Sequence, residues 1–393
     1  MKRFVAAALM ALIVLCAPKY AAAFNENEQL AALEAEIEKM IGELDTASYD
    51  YIIDGLPAET DEVFGKPASE IIADLATGRT AIASESIFDF IIKTFASQAG
   101  NASMIVKLVA LGILAAMLKA LRSSFGGEGP GNVAQYVIMM AAAGILIQTL
   151  VFQARVAGAA IESMISAVRA LFPAILTLMT AMGGGASAQV FQPAMTLLTG
   201  GMAEAASGII LPLTLICGAL CAIGALTPRL NLKAMSDMAG SLSKWIMGLC
   251  FTVFAGVLAI NGGLASTIDG VSIRTAKYAI DNLVPVIGGM FSDTVDTIMG
   301  CSLIVKNALG TFSMLLIGIS LASPLAGIAV NMLALRLTAA VLGPVGDENL
   351  VKTVSGIAGA LGLMFAVVIT VAAMAFITIS LAIAAGNANI MLR

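Results

Sequence analysis

Apolar positions fill this chain in long blocks, not in the stripes of a fold surrounded by water. The blocks at about 103–121, 134–153, 206–226, 245–264, 313–335 and 357–385 match the roughly 20 residues a helix needs to cross a bilayer. They predict helices, because hydrocarbon offers no partner to an unpaired backbone amide. The apolar/polar alternation of a membrane barrel strand is missing from them. The pattern changes ahead of residue 101. There Leu30, Leu33, Ile37, Met40, Ile41 and Leu44 fall on one helical face, with Glu34, Glu36, Glu38 and Glu43 elsewhere. A break at Asp54-Gly55-Leu56-Pro57 precedes a short helix capped by Ser69 and ended at Gly78. Another helix starts at Ser84, with Phe88, Ile91, Ile92 and Phe95 on one side. Such stripes pack on each other, lie on a membrane surface, or form a docking face for an extracytoplasmic partner helix.

Residues 161–265 and 273–380 read as two copies of one unit. Leu171, Pro173 and Ile175 recur 112 positions later as Leu283, Pro285 and Ile287. Pro212 and Leu213 recur at the same shift as Pro324 and Leu325, and both prolines read as helix breaks. After a loop two residues longer, Gly248, Leu249 and Phe251 recur as Gly362, Leu363 and Phe365. In each copy a moderately apolar, interrupted segment precedes the strong spans, 156–204 in the first and 271–311 in the second. Pro173, Gly183, Gly184, Gly185 and Pro193 break the first; Pro285, Gly288, Gly289 and Gly300 break the second. Broken stretches of this kind form re-entrant or interfacial helices, or else kinked spans.

The fold class that follows is an all-α polytopic membrane protein with two tandem membrane-embedded repeats of proline-broken helices. Two spans and a small helical extracytoplasmic segment precede them. The expected layout is a signal peptide at 1–23, an acidic extracytoplasmic segment at 24–100 and the first two spans at 101–155. Repeat 1 follows at 156–268, repeat 2 at 269–386 and a tail at 387–393. Composition agrees on the solvent, with 59% hydrophobic and 12% charged residues against about a quarter charged in ordinary soluble domains. Lys2 and Arg3, the apolar residues 4–16 and Ala21-Ala22-Ala23 carry the signal-peptide reading. Sixteen Asp and Glu face four Lys and Arg over residues 24–100, which suits the outer side of a membrane. Lys119, Arg122, Arg229, Lys233, Lys244, Arg336 and Lys352 then fall in three inner loops, with the mature amino end and the carboxyl end outside. A basic face for nucleic acid is missing.

Chemistry in the residues does not point to an enzyme or to a cofactor. The chain has no histidine, which removes Ser-His-Asp and Cys-His catalysis and the commonest metal ligand. No phosphate-binding GxxxxGK[ST] run occurs, so an ATP-driven step would belong to a partner. Cys217 and Cys221, one turn apart, and Cys250 and Cys301 read as free thiols in apolar packing. Gly356, Gly359 and Gly362 read as close helix contacts on one side of the last span. The remaining candidates are charges near membrane depth, which are costly unless paired, solvated or functional. Arg274, Lys277 and Asp281 share one helical face, and Asp293 and Asp296 repeat the spacing. Glu162, Arg169 and Glu204 are the first-copy charges, and Lys306 is the one expected to be buried, with Asp293 or Asp296 as its partner.

DGVSIRTAKYAIDNLVPVIGGMFSD followed by DTIMGCSLIVKNALG, over 269–310, resembles the most recognisable stretch of the stage III sporulation protein AE family. The run LFPAILTLMTAMGGGASAQVFQP, the Leu342-Gly343-Pro344-Val345-Gly346-Asp347 loop and the Ala385-Gly386-Asn387 ending are similar to it as well. The resemblance implies a multispan, permease-like component in the mother-cell membrane around the forespore. It implies partners too: the other products of the family's operon, among them an ATPase and ring-forming proteins, and a forespore membrane protein. Together these would make a transenvelope channel, or feeding tube, needed for late forespore development. The repeats and broken helices also permit a second class, a stand-alone secondary transporter of a small metabolite.

Overall fold

The computed structural model describes residues 27–44, 46–55, 60, 64–79, 84–99, 102–125, 130–182, 188, 192, 195–196, 199–227, 232–283, 288–344 and 347–391. Side-chain placement over 260–296 is not part of that description. Every regular element among the described residues is a helix. In order they are α1 (Asn27–Gly42), α2 (Ala47–Asp54), α3 (Ala68–Ala76), α4 (Ser84–Ala99), α5 (Ala102–Phe125) and α6 (Pro130–Ala181). A π-helical stretch at Glu204–Ile210 then leads into α7 (Leu211–Leu226), α8 (Leu232–Leu283), α9 (Gly288–Leu342) and α10 (Glu348–Met391). Five helices are long and apolar enough to cross a membrane, with windows in Val133–Ala181, Thr199–Gly224, Leu232–Ala259, Thr297–Leu342 and Glu348–Ala384. The chain is thus an all-helical multi-pass membrane protein. α5 adds a shorter apolar run, Ile105–Leu118.

Helix α9 is the axis of the bundle. Its most apolar window is 72% buried, whereas that of α8 is 17% buried, so α8 lies at the edge. Leu309, Phe312, Leu316, Ile317 and Ile328 of α9 are fully enclosed, and α10 packs along it through Leu361, Met364 and Val368. Small residues set the helix spacing. A Cβ on Gly356 would meet the Cys221 Sγ at 2.7 Å, and one on Gly362 would meet the Met332 sulfur at 3.3 Å. Gly359 faces open space. The three glycines therefore do not share one contact face: Gly356 turns toward α7 and Gly362 toward α9.

The four long helices are where sequence and structure part. α6 and α8 have 52 residues each, α9 has 55 and α10 has 44. At 1.5 Å per residue, 52 residues reach about 80 Å, far beyond a hydrocarbon layer of about 30 Å. The expected interruptions at Pro173 and Pro324 do not occur, since both stand inside helices that continue past them. A proline removes one i→i−4 bond and strains one turn, but the packed helices on either side hold the remaining bonds. Gly288 and Gly289 open α9, and Gly300 lies within it. Gly183, Gly184, Gly185, Pro193 and Pro285 lie outside the described residues, as does the signal-peptide reading of 1–23. α6 also runs through the expected boundary at 155/156, and α8 through the one at 268/269. Helix ends are not matched across the 112-residue shift, for α6 ends eight residues after Pro173 and α8 ends two residues before Pro285.

The acidic segment folds onto the bundle. Ile37 and Ile41 of the α1 stripe are buried, as are Ile71, Ile72, Phe90 and Ile91 of α3 and α4. Tyr49 and Phe64 stand edge-on to the Phe312 ring of α9 at centroid distances of 5.6 and 6.1 Å. The apolar stripes are therefore used largely within the chain, which favours mutual packing over the docking-face alternative, while Ile92 of α4 stays exposed. α3 is not capped by Ser69: its N-cap is Pro67, and the Ala68 amide donates to Asp50 Oδ1 at 2.8 Å. α3 ends as expected, with Gly78 at φ +73°, a conformation that glycine adopts without strain.

The beginnings of α6 and α10 are tied by one carboxylate. Asp347 Oδ1 accepts the amides of Asn349 and Leu350 at 2.9 and 3.4 Å, capping α10, while Oδ2 accepts Gln135 Nε2 at 2.8 Å. Asp347→Ala should lower stability by about 2 kcal/mol, the sum of a lost cap and a lost buried acceptor. A thermal melt of the purified protein in detergent measures it, and an unchanged midpoint would mean that the cap is dispensable.

Candidate functional site

The interior of α9 holds the most distinctive polar group. Lys306 is fully buried, and its Nζ donates to the Ile383 carbonyl of α10 at 2.7 Å. Ser302, one turn earlier, is buried with an unpartnered hydroxyl, and the Asn307 Oδ1 is likewise buried without a partner. Gly310, one turn later, gives the Ile383 side chain its space, since a Cβ there would sit 2.5 Å from it. The sequence predicts a buried Lys306, and its side chain is enclosed. Asp293 and Asp296 lie 13 and 10 positions earlier on the same continuous helix, about 20 and 15 Å along the axis and out of direct reach.

The first-copy candidates lie apart from Lys306. Glu162 and Arg169 are exposed on α6. Glu204 opens the π stretch and is exposed, its carboxylate folded back over Gly208. Arg274, Lys277 and Asp281 lie on the last turns of α8, and Asp293 and Asp296 on the first turns of α9; their side chains are outside the described residues. Pro212 lies two residues past the π stretch, in the first turn of α7. There the Leu211 amide bonds the Ala206 carbonyl five residues back, and these wide turns relieve the clash that a proline ring makes with the preceding turn. The π stretch also lines a small apolar crevice with Met247, Val371 and Met374.

Two polar clusters escaped the sequence reading. Ser236 of α8 donates to the Cys217 carbonyl at 2.9 Å, and its Oγ lies 3.3 and 3.1 Å from the Cys217 and Cys221 sulfurs. The i, i+4 thiol pair was visible, but a serine fifteen residues on was not. The second cluster gathers around Gly327. Its carbonyl accepts the Asn331 amide at 2.8 Å, and the side-chain oxygens of Gln98 and Gln153 lie 3.5 and 3.8 Å from where a Cβ would be. Gln153 is buried and its Oε1 has no partner. Replacing it with leucine should leave the melting midpoint unchanged or raise it, because an unsatisfied acceptor is removed at similar volume. A drop of several degrees would show that the carboxamide is needed in place. In the acidic amino-terminal segment, burial pushes the Tyr49 phenol well above its usual range, and the Lys66 ammonium is raised by its hydrogen bond to Asp74.

The family model for stage III sporulation protein AE matches residues 67–386, from just ahead of α3 to near the end of α10. The chain belongs to the stage III sporulation protein AE family. It is 27% identical over 297 residues to stage III sporulation protein AE of Bacillus subtilis (strain 168), covering 75% of this chain and 73% of that one. No solved structure matches. Membership of the stage III sporulation protein AE family supports a role in sporulation, and the match takes in Lys306, Asp347 and the Gly327 cluster. α1 and α2, with much of the acidic charge, lie ahead of it.

Proposed function

We propose that this chain is the multispan, permease-like subunit of a sporulation transenvelope channel, lying in the mother-cell membrane with its mature amino end and acidic segment outside the cytoplasm. Its partners are the other stage III sporulation operon proteins, including an ATPase and ring-forming proteins, and a forespore membrane protein. The observation that carries the reading is a bundle of five candidate spans with α9 at its axis, in a family of stage III sporulation proteins. The two tandem repeats and the positive inner loops, both readings of the sequence, point the same way. The chain serves as scaffold or conduit and performs no bond chemistry of its own.

The test is purification of the native assembly from sporulating cells, paired with reconstitution of the chain alone in liposomes. A channel subunit co-purifies with its operon partners and moves no small solute by itself. Solute exchange by the lone chain, lost in Lys306→Met, would instead make it a stand-alone secondary transporter.

A further inference from the structure

Helix α6 changes character along its length. Between Val133 and Phe152 it exposes large apolar side chains, among them Tyr136, Val137, Met140 and Val151. Those twenty positions contain no charge and span about 30 Å, the thickness of a hydrocarbon layer. Beyond Phe152 no large apolar side chain of α6 is exposed. Instead Arg155, Glu162 and Arg169 are exposed, one heptad apart, and Ala159 and Ser166 are exposed between them. These five positions advance by alternating steps of four and three, which keeps them on a single face. Three further turns carry the helix on to Ala181.

That face has unused binding capacity. Pro173 is exposed in the same row and has no N–H to offer the Arg169 carbonyl. The order of charges along the face is positive, negative, positive. Copies of this chain in one membrane place α6 parallel, so an in-register pair would set Arg155 against Arg155 and Arg169 against Arg169. Self-pairing through this face is thus disfavoured. Small residues at the intervening positions let a second helix come close enough for its own charges to reach these.

We propose that the stretch of α6 from Arg155 to Pro173 stands outside the hydrocarbon and docks a helix of a different protein, one that carries an acid, a base and an acid at heptad spacing. The charge order is symmetric about Glu162, so the partner helix can run in either direction. The inference rests on the multi-pass reading and is independent of what, if anything, the proposed assembly conducts.

A photo-crosslinking side chain at Ser166, with Val137 as the lipid-facing control, tests it in membranes of cells that make the protein. The expected result is an adduct at Ser166 with another polypeptide, whose linked segment bears carboxylates fourteen residues apart around a central base. R155E/R169E should cut that adduct at least tenfold with full-length protein still in the membrane. Changing the identified carboxylates to lysine should restore it, and R155K/R169K should keep it. If the reversed variant does not accumulate, raising salt from 0.05 to 0.5 M in permeabilised cells should cut the wild-type adduct about tenfold or more. The proposal is overturned by an adduct insensitive to both charge and salt, by adducts with lipid alone, or by adducts with a second copy of this chain. Solute exchange by the lone chain with the adduct retained would count against the functional reading and not against this one.

Discussion

Lys306→Ala should destabilise the folded protein by about 4 kcal/mol, and Lys306→Met by about 2. The alanine change removes both the stem and the ammonium from a position with no exposed surface. It leaves a cavity between α9 and α10 and takes the donor from the Ile383 carbonyl. Methionine refills most of the stem's volume and forfeits only the hydrogen bonding. The difference between the two variants therefore measures packing, and the methionine loss measures the ammonium. Thermal melts in one detergent resolve both. Equal losses would show that the charge alone matters and that volume at this point does not.

Gly218→Leu should cost about 3 kcal/mol and lower the amount of protein in the membrane, whereas Gly248→Leu should change neither. A Cβ on Gly218 would lie 2.5 Å from the Leu150 side chain and 3.1 Å from the Ala360 Cβ. Leu150 can swing its tip away, but Ala360 can yield only if α10 moves. Three helices, α6, α7 and α10, meet at this point, so a whole leucine forces them apart. Gly248 faces open space on the edge helix, and nothing lies within 4 Å of an added Cβ. Expression level and melting midpoint of the two variants give the contrast. A Gly218→Leu protein as stable as the Gly248→Leu protein would mean that the bundle is loosely packed at its centre.

The two glycines show where sequence reading stops. Both sit in apolar runs with similar neighbours, and only the course of the other helices separates them. Lys306 was legible because a lysine inside an apolar stretch is costly wherever it lies, yet its acceptor, 77 residues on, was not. The α1 stripe announced a buried face without naming what would cover it; α3 and α9 do. Pro173 and Pro324 misled for a local reason. Proline predicts a break when only the chain's own turn is considered, and these helices are held by their packing partners. Family motifs near Lys306 and Asp347 pointed to the right regions but assigned no contacts. The Gly327 cluster had no signal at all, since glutamine in a helix is ordinary until three helices bring its oxygen to a place with no donor.

At Glu204–Ile210 each wide turn holds more residues than the 3.6 of an ordinary α-turn. Deleting one codon there would let the stretch tighten to ordinary α-turns, so that the lost residue is taken up locally with α7 undisturbed in its seat. Insertions and deletions among relatives have one place where they can be absorbed without repacking the centre. Length variation in the family should accordingly gather just before Pro212.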